Sequence, residues 1–337
     1  MKHFITLFCA AFLLNSCNSN SQSKTLSKTS IDPEPYAKII SAESLKKKLY
    51  TYASDEFEGR GTGEPGQKKA VEFLKNFYIA NEIPSPLGEG NYFQKVPSSF
   101  LPTGTKDSEN VLAYIKGSEK PDEILVISAH LDHIGVSSNG DINNGADDDG
   151  SGTVAILEIA KAFKAAEKAG HGPKRTILFL HVTAEEIGLQ GSKYYTDVEP
   201  IFPLKNTVTD LNIDMIGRVD DKHKNGKNYL YLIGSDKLSK ELHDVSEAVN
   251  NKYVNLDLDY TYNDDNDPNR FYYRSDHYNF AKNNIPVIFY FNGTHDDYHR
   301  PSDTPDKINY EFLETRARLV FYTAWELANR ENRVKLD

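Results

Sequence analysis

Between residues 110 and 213 short apolar runs alternate with a long amphipathic stretch, and this alternation leaves the chain few architectures. Residues 110–115, 124–128, 176–182 and 208–213 are apolar runs of strand length, whereas 150–169 carries its apolar residues at helical spacing. Buried strands separated by a helix belong to a parallel sheet covered on its faces, because a parallel crossover needs a connection of about a dozen residues or more. A short helical piece is expected ahead of 208–213. Beyond it, residues 229–233 and 286–291 read as strands, and 237–251 and 310–328 as helices. Nearer the N-terminus, 39–49 and 66–81 have helical spacing, with Ala70, Val71, Phe73, Leu74, Phe77 and Tyr78 on one face of the second, and 55–66 reads as a loop. The fold expected is α/β: three layers, with a mostly parallel mixed central sheet flanked by helices.

The first residues read differently. Lys2 and His3 precede an apolar run over 4–14 that is too short to span a bilayer, so 1–16 reads as an export signal. The run ends at Leu14-Asn15-Ser16-Cys17, which resembles a bacterial lipobox, where the cysteine carries lipid and becomes the mature N-terminus. Residues 17–35, rich in Ser, Asn, Gln and Lys, then form a flexible tether. With no internal repeat and no dividing linker, 36–337 is expected to be a single domain. The expected location is exported and membrane-anchored through lipid on Cys17, in the periplasm or at the cell surface.

Composition narrows the chemistry. The chain has 2 cysteines, Cys9 in the signal and Cys17 at the lipid site, which leaves the domain no thiol for a disulfide or a thiolate metal site. Any metal must be held by His, Asp and Glu. A net charge of −10 argues against a nucleic-acid partner, which calls for clustered Lys and Arg. The acidic stretch 263–269 has the composition of a calcium loop but lacks the Gly and terminal Glu of a helix-loop-helix site, and it reads as a solvated loop.

In open α/β sheets, ligands gather beyond the carboxyl ends of the strands. Each of those ends delivers acid or imidazole here. His130, Asp132 and His133 follow the run at 124–128, and Asp147-Asp148-Asp149-Gly150-Ser151-Gly152 leads into the helix at 150–169. Glu185 and Glu186 follow 176–182, Asp214 follows 208–213, and Tyr298-His299 follows 286–291. Zinc takes imidazole nitrogen and carboxylate oxygen, so this inventory suits a two-metal site with one bridging carboxylate.

In this order, His130-x-Asp132, Asp147-Asp148-Asp149-Gly150-Ser151-Gly152, Glu185-Glu186-x-Gly188, Asp214-Met215 and Tyr298-His299 resemble the co-catalytic zinc aminopeptidases of the M28 peptidase family, over about 110–303. The resemblance implies two Zn2+ per chain and peptide substrates with a free N-terminus. It implies that Asp148 bridges both ions, with Glu186 and His299 completing one and His130 and Asp214 the other, while Asp149 shapes the bend. Glu185 would be the general base for a metal-activated water. Asp132 would orient His130 through the far ring nitrogen, and Tyr298 would donate to the tetrahedral oxyanion. Arg274-Ser275-Asp276-His277 resembles a supporting segment of the same family. Gly150-Ser151-Gly152 is one residue short of a nucleophile elbow, so no covalent route competes. Three alternatives share these motifs or this fold. They are a glutaminyl cyclase working with one zinc, a carboxypeptidase using Arg218, Arg270, Arg274 or Arg300 for a free carboxylate, and a surface lipoprotein without activity.

Overall fold

A computed structural model describes residues 1, 26, 31–224 and 226–337. The export signal and most of the tether, with Cys9 and Cys17, lie outside the described residues. The sheet has eight strands: β1 (Phe93–Val96), β2 (Ser108–Ile115), β3 (Lys120–His130), β4 (Arg175–Val182), β5 (Thr207–Ile213), β6 (Tyr229–Ile233), β7 (Asp257–Asp259) and β8 (Val287–Phe291), in the order β1-β2-β4-β3-β5-β8-β6-β7. The central strands β4, β3, β5 and β8 are mutually parallel, and antiparallel pairs flank them. Their carboxyl ends therefore lie along one edge.

The principal helices are α1 (Ala42–Tyr52), α2 (Pro65–Ala80), α3 (Gly152–Lys168), α4 (Gln190–Asp197), α5 (Lys240–Val249), α6 (His277–Ala281) and α7 (Tyr310–Asn329). Alternation along the strands builds the three layers. Leu125, Ile127 and Ala129 of β3 join Ile177 and Phe179 of β4 under α1, α2, α3, α5 and α7, whereas Ile124, Val126, Leu178 and Leu180 face α4 and α6. No helix among the described residues is long and apolar enough to cross a membrane.

Differences from the expected elements have local causes. The first helix begins at Ala42 because Ser41 caps it, its Oγ accepting from Ser44 N at 3.2 Å, and α5 begins at Lys240 because Ser239 does the same for Leu242 N at 3.1 Å. Strands β1 and β7 and helix α6 are too short to show a period, and the two strands exist by pairing with β2 and β6. The 55–66 segment contains a 3-10 helix, Asp55–Arg60, whose Arg60 is fully buried. Residues 263–269 form Asx turns, with Asp264 accepting from Asn266 N and Asp267 from Asn269 N and Phe271 N.

Candidate metal centre

His130 is the last residue of β3, and Asp214 directly follows its neighbour β5, so their side chains meet: His130 Nε2 lies 3.6 Å from Asp214 Oδ1. Between β3 and α3 the chain winds through a tight turn over Ala146–Ser151, with a cis peptide joining Asp148 and Asp149. This sets Asp148 at the centre of the group. Its Oδ1 is 3.0 Å from His130 Nε2, and its Oδ2 is 3.0 Å from His299 Nε2. His299 Nε2 is in turn 3.1 Å from Glu186 Oε2. All five residues expected as ligands converge in two groups that share Asp148.

Several backbone turns are needed to aim these groups. Ala184, Met215 and His299 hold left-handed φ values of 57°, 62° and 56° beside Glu185, Asp214 and Tyr298, a conformation that costs a non-glycine residue about 1 kcal/mol or more and clusters at functional sites. Gly145 also has positive φ, and a Cβ there would stand 2.3 Å from Asp148 O and 2.5 Å from the His133 ring. At Gly152 a Cβ would strike the Asp149 carboxylate at 2.5 Å.

Asp149 anchors rather than reaches inward. Its oxygens accept from Gly152 N, Met215 N and His130 N at 2.9, 3.1 and 3.2 Å, tying the start of α3 to the ends of β5 and β3. Asp132 is fully buried, but its carboxylate accepts from Thr62 Oγ1 at 2.7 Å and Glu185 N at 3.2 Å. The atom facing His130 Nδ1 at 3.0 Å is the Asp132 main-chain carbonyl, while the carboxylate stands at 3.8 Å. The side-chain acceptor expected from the sequence is thus replaced by the backbone, and the carboxylate fixes the Glu185 turn instead. Ser151 is no nucleophile: its Oγ donates to Asp147 O and accepts from Ile216 N inside the core.

Supporting residues appear whose partners the sequence did not give. Asp303 accepts from Asp147 N at 3.0 Å and Asp148 N at 3.2 Å. Ser275 donates to Asp214 Oδ2 at 2.6 Å and receives from Asn212 Nδ2 at 2.8 Å. His133, noted only as lying beyond the run at 124–128, points Nδ1 at Glu186 Oε1. A short spacing to motif residues was the available signal for Asp303 and His133, and the resemblance of Arg274-Ser275-Asp276-His277 was the signal for Ser275.

Electrostatics agree with a site built for cations. Burial works against charge on His130, yet Glu185, Asp214 and Asp148 hold its imidazole well above the ordinary histidine range. Burial likewise opposes ionisation of Asp148, but His130, His133 and His299 hold its carboxyl well below the usual range. Burial, then the neighbouring Glu186, Asp214 and Asp276, pushes Glu185 well above it. Burial of the Tyr298 hydroxyl, reinforced by Asp148 and Glu186, keeps it protonated.

A metal's fit can be judged from orientation. His130 Nε2 and Asp148 Oδ2 are buried without hydrogen-bond partners although imidazole and carboxylate atoms stand 3.0 Å away. Atoms that close but not aimed at each other match two ligands of one ion, since bonds of about 2.0–2.1 Å at tetrahedral angles set ligands roughly 3.3 Å apart. The donors are all imidazole and carboxylate, a set that suits zinc.

Beside this group opens a cavity of about 30 Å³ whose lining combines the polar Glu185, Asp148, Asp214 and Tyr298 with the apolar Met215, Phe271, Phe289 and Phe291. Arg274 lies at its wall, while Arg218 is engaged by Asp297 at 2.8 Å. Tyr298 stacks on His299 with ring centroids 3.9 Å apart.

The chain is 26% identical over 313 residues to leupeptin-inactivating enzyme 1 of Streptomyces exfoliatus, covering 87% of this chain and 63% of that protein. It is 27% identical over 235 residues to aminopeptidase YwaD of Bacillus subtilis, covering 68% of this chain and 46% of that protein. The chain thus spans between about half and two thirds of the length of these curated relatives. The structure of BSAP, a zinc aminopeptidase from Bacillus subtilis, shares the fold with a TM-score of 0.66 at 16% identity, over 88% of this chain and 97% of that one. The model of peptidase family M28 matches residues 110–324, a stretch that contains every one of the converging residues, and the chain belongs to that family.

Proposed function

We propose that this chain is a zinc-dependent aminopeptidase that removes N-terminal residues from peptides, with two zinc ions per chain. The observation that carries the reading is Asp148, whose two oxygens face His130 and His299 separately, as a carboxylate shared by two ions would. His130 and Asp214 would hold one ion, and Glu186 and His299 the other. Family membership and relatives named as aminopeptidases support the same activity.

When bound, the ions supply Lewis acidity to the scissile carbonyl and to a water beside it. The protein supplies the rest. Glu185, held by the Asp132 contact to its own N–H, stands within reach of the ligand group and takes the proton of that water, then returns it to the leaving amine. Tyr298, kept protonated by burial, lines the cavity and donates toward the developing oxyanion. The aromatic wall of Phe271, Phe289 and Phe291 receives the N-terminal side chain, and the surrounding carboxylates attract the free ammonium. Export and attachment to a membrane through lipid on Cys17 belong to the same proposal, and rest on the lipobox-like run at 14–17.

The test is to strip the protein with chelator, restore zinc, and assay free-amine aminoacyl anilides beside their N-acetylated forms while measuring zinc per chain. Zinc-dependent cleavage restricted to the free amines, with two ions bound, is expected. Equal cleavage of blocked substrates, or activity unchanged by chelation, would overturn it.

A further inference from the structure

We propose that His133 is a positioning residue that holds Glu186 as a ligand through a single oxygen. This rests on the zinc reading above and adds a residue to it. Two classes of distance separate the roles of the histidines. The pairs His299–Glu186 and His130–Asp148 lie at 3.1 and 3.0 Å, near the spacing of two ligands on one ion. His133 Nδ1 instead lies 2.7 Å from Glu186 Oε1 in hydrogen-bond geometry, and stands back from Asp148 Oδ2 at 3.7 Å. A carboxylate oxygen only accepts, so Nδ1 carries the proton and cannot also bind a metal.

The two oxygens of Glu186 are thereby divided. His133 takes Oε1, and Oε2 is the one facing His299. With Oε1 engaged, Glu186 offers Oε2 as its free oxygen, which disfavours binding through both and leaves a coordination position for water and substrate.

The fold keeps the ring where this needs it. His133 is buried, its main-chain N–H donates to Arg60 O at 3.3 Å, and its ring meets the His299 ring edge-on at 5.7 Å and 68°. The missing Cβ of Gly145 leaves the space its ring fills.

The test uses the full chain and competes it for zinc against a chromophoric chelator. His133→Leu keeps the volume but removes the donor, whereas His133→Asn restores an N–H at the place of Nδ1. For the Leu variant the affinity for one ion should fall about 10–100-fold while the other ion is held as in the wild type. The Asn variant should recover most of that loss. Wild-type affinity for both ions in the Leu variant would overturn the assignment, and so would equal loss in the Leu and Asn variants, which would show a packing role alone. A wild-type chain that takes up no zinc would overturn the zinc reading itself, an outcome distinct from either result.

Discussion

Arg60 Nη2 donates to the carbonyl of Gly145 at 2.8 Å, deep in the protein and just ahead of Asp148. The same guanidinium reaches Asn144 O at 2.7 Å, Leu131 O at 3.2 Å and Tyr52 O at 3.3 Å. One planar cation thus ties α1, the end of β3 and the turn into α3 together, satisfying carbonyls that could not be solvated there. From the other side, Asp303 accepts the N–H groups of Asp147 and Asp148. The central carboxylate is held by its backbone from both directions.

Replacing Arg60 should therefore cost stability before it costs chemistry. Arg60→Met takes the charged donor from four buried carbonyls, of which Leu131 O keeps the Tyr52 hydroxyl and Gly145 O keeps Gly150 N, and each lost bond from a charged donor is worth about 1.5–3 kcal/mol. A loss of about 3 kcal/mol or more in urea unfolding is expected, with Arg60→Lys intermediate because an ammonium lacks the fork.

Asp148→Ala removes the atom pair common to both groups, so both zinc ions should be lost together. Metal analysis after dialysis should fall from two ions toward none, with activity lost in parallel. Retention of one tight ion would show that the two groups do not share this residue.

Glu185→Gln should separate binding from chemistry. The amide keeps the shape and cannot take a proton, so zinc content should be unchanged while kcat falls by about 10²–10⁴-fold, the usual contribution of a positioned base. KM for an aminoacyl anilide should move little.

A pH effect on stability follows from His181, which is buried on β4 beside the Tyr78 hydroxyl at 2.7 Å. Burial pushes its imidazole down to about 3 from 6.5. Between those values the unfolded chain binds a proton that the folded chain does not, so stability is full above pH 6.5 and is lost as pH falls toward 3. The slope for one such group is about 1.4 kcal/mol per pH unit. In His181→Gln, the dependence of unfolding free energy between pH 6 and 4.5 should be shallower by about that amount.

Much of this molecule was visible as pattern. The strand–helix alternation yielded the parallel centre of the sheet, and 229–233 matched β6 to the residue, because a strand buried on both faces reads as a continuous apolar run. The acids and imidazoles at strand ends were equally visible, since a strand's end can be read from where its apolar run stops.

What no local pattern contains is which strand ends become neighbours and which way a side chain then turns. The order β4-β3-β5 brings His130 to Asp214, and only the pairing of those strands decides it. Asp132 reads as a partner for His130 through its side chain, yet in three dimensions Thr62 and Glu185 N claim that carboxylate and leave the backbone carbonyl for the ring. His133, Ser275 and Arg60 acquired their roles in the same way. The chain order of the polar groups was therefore set by sequence, while their hydrogen-bond partners were decided by tertiary packing, where each buried donor and acceptor takes the mate that the assembled layers place within reach.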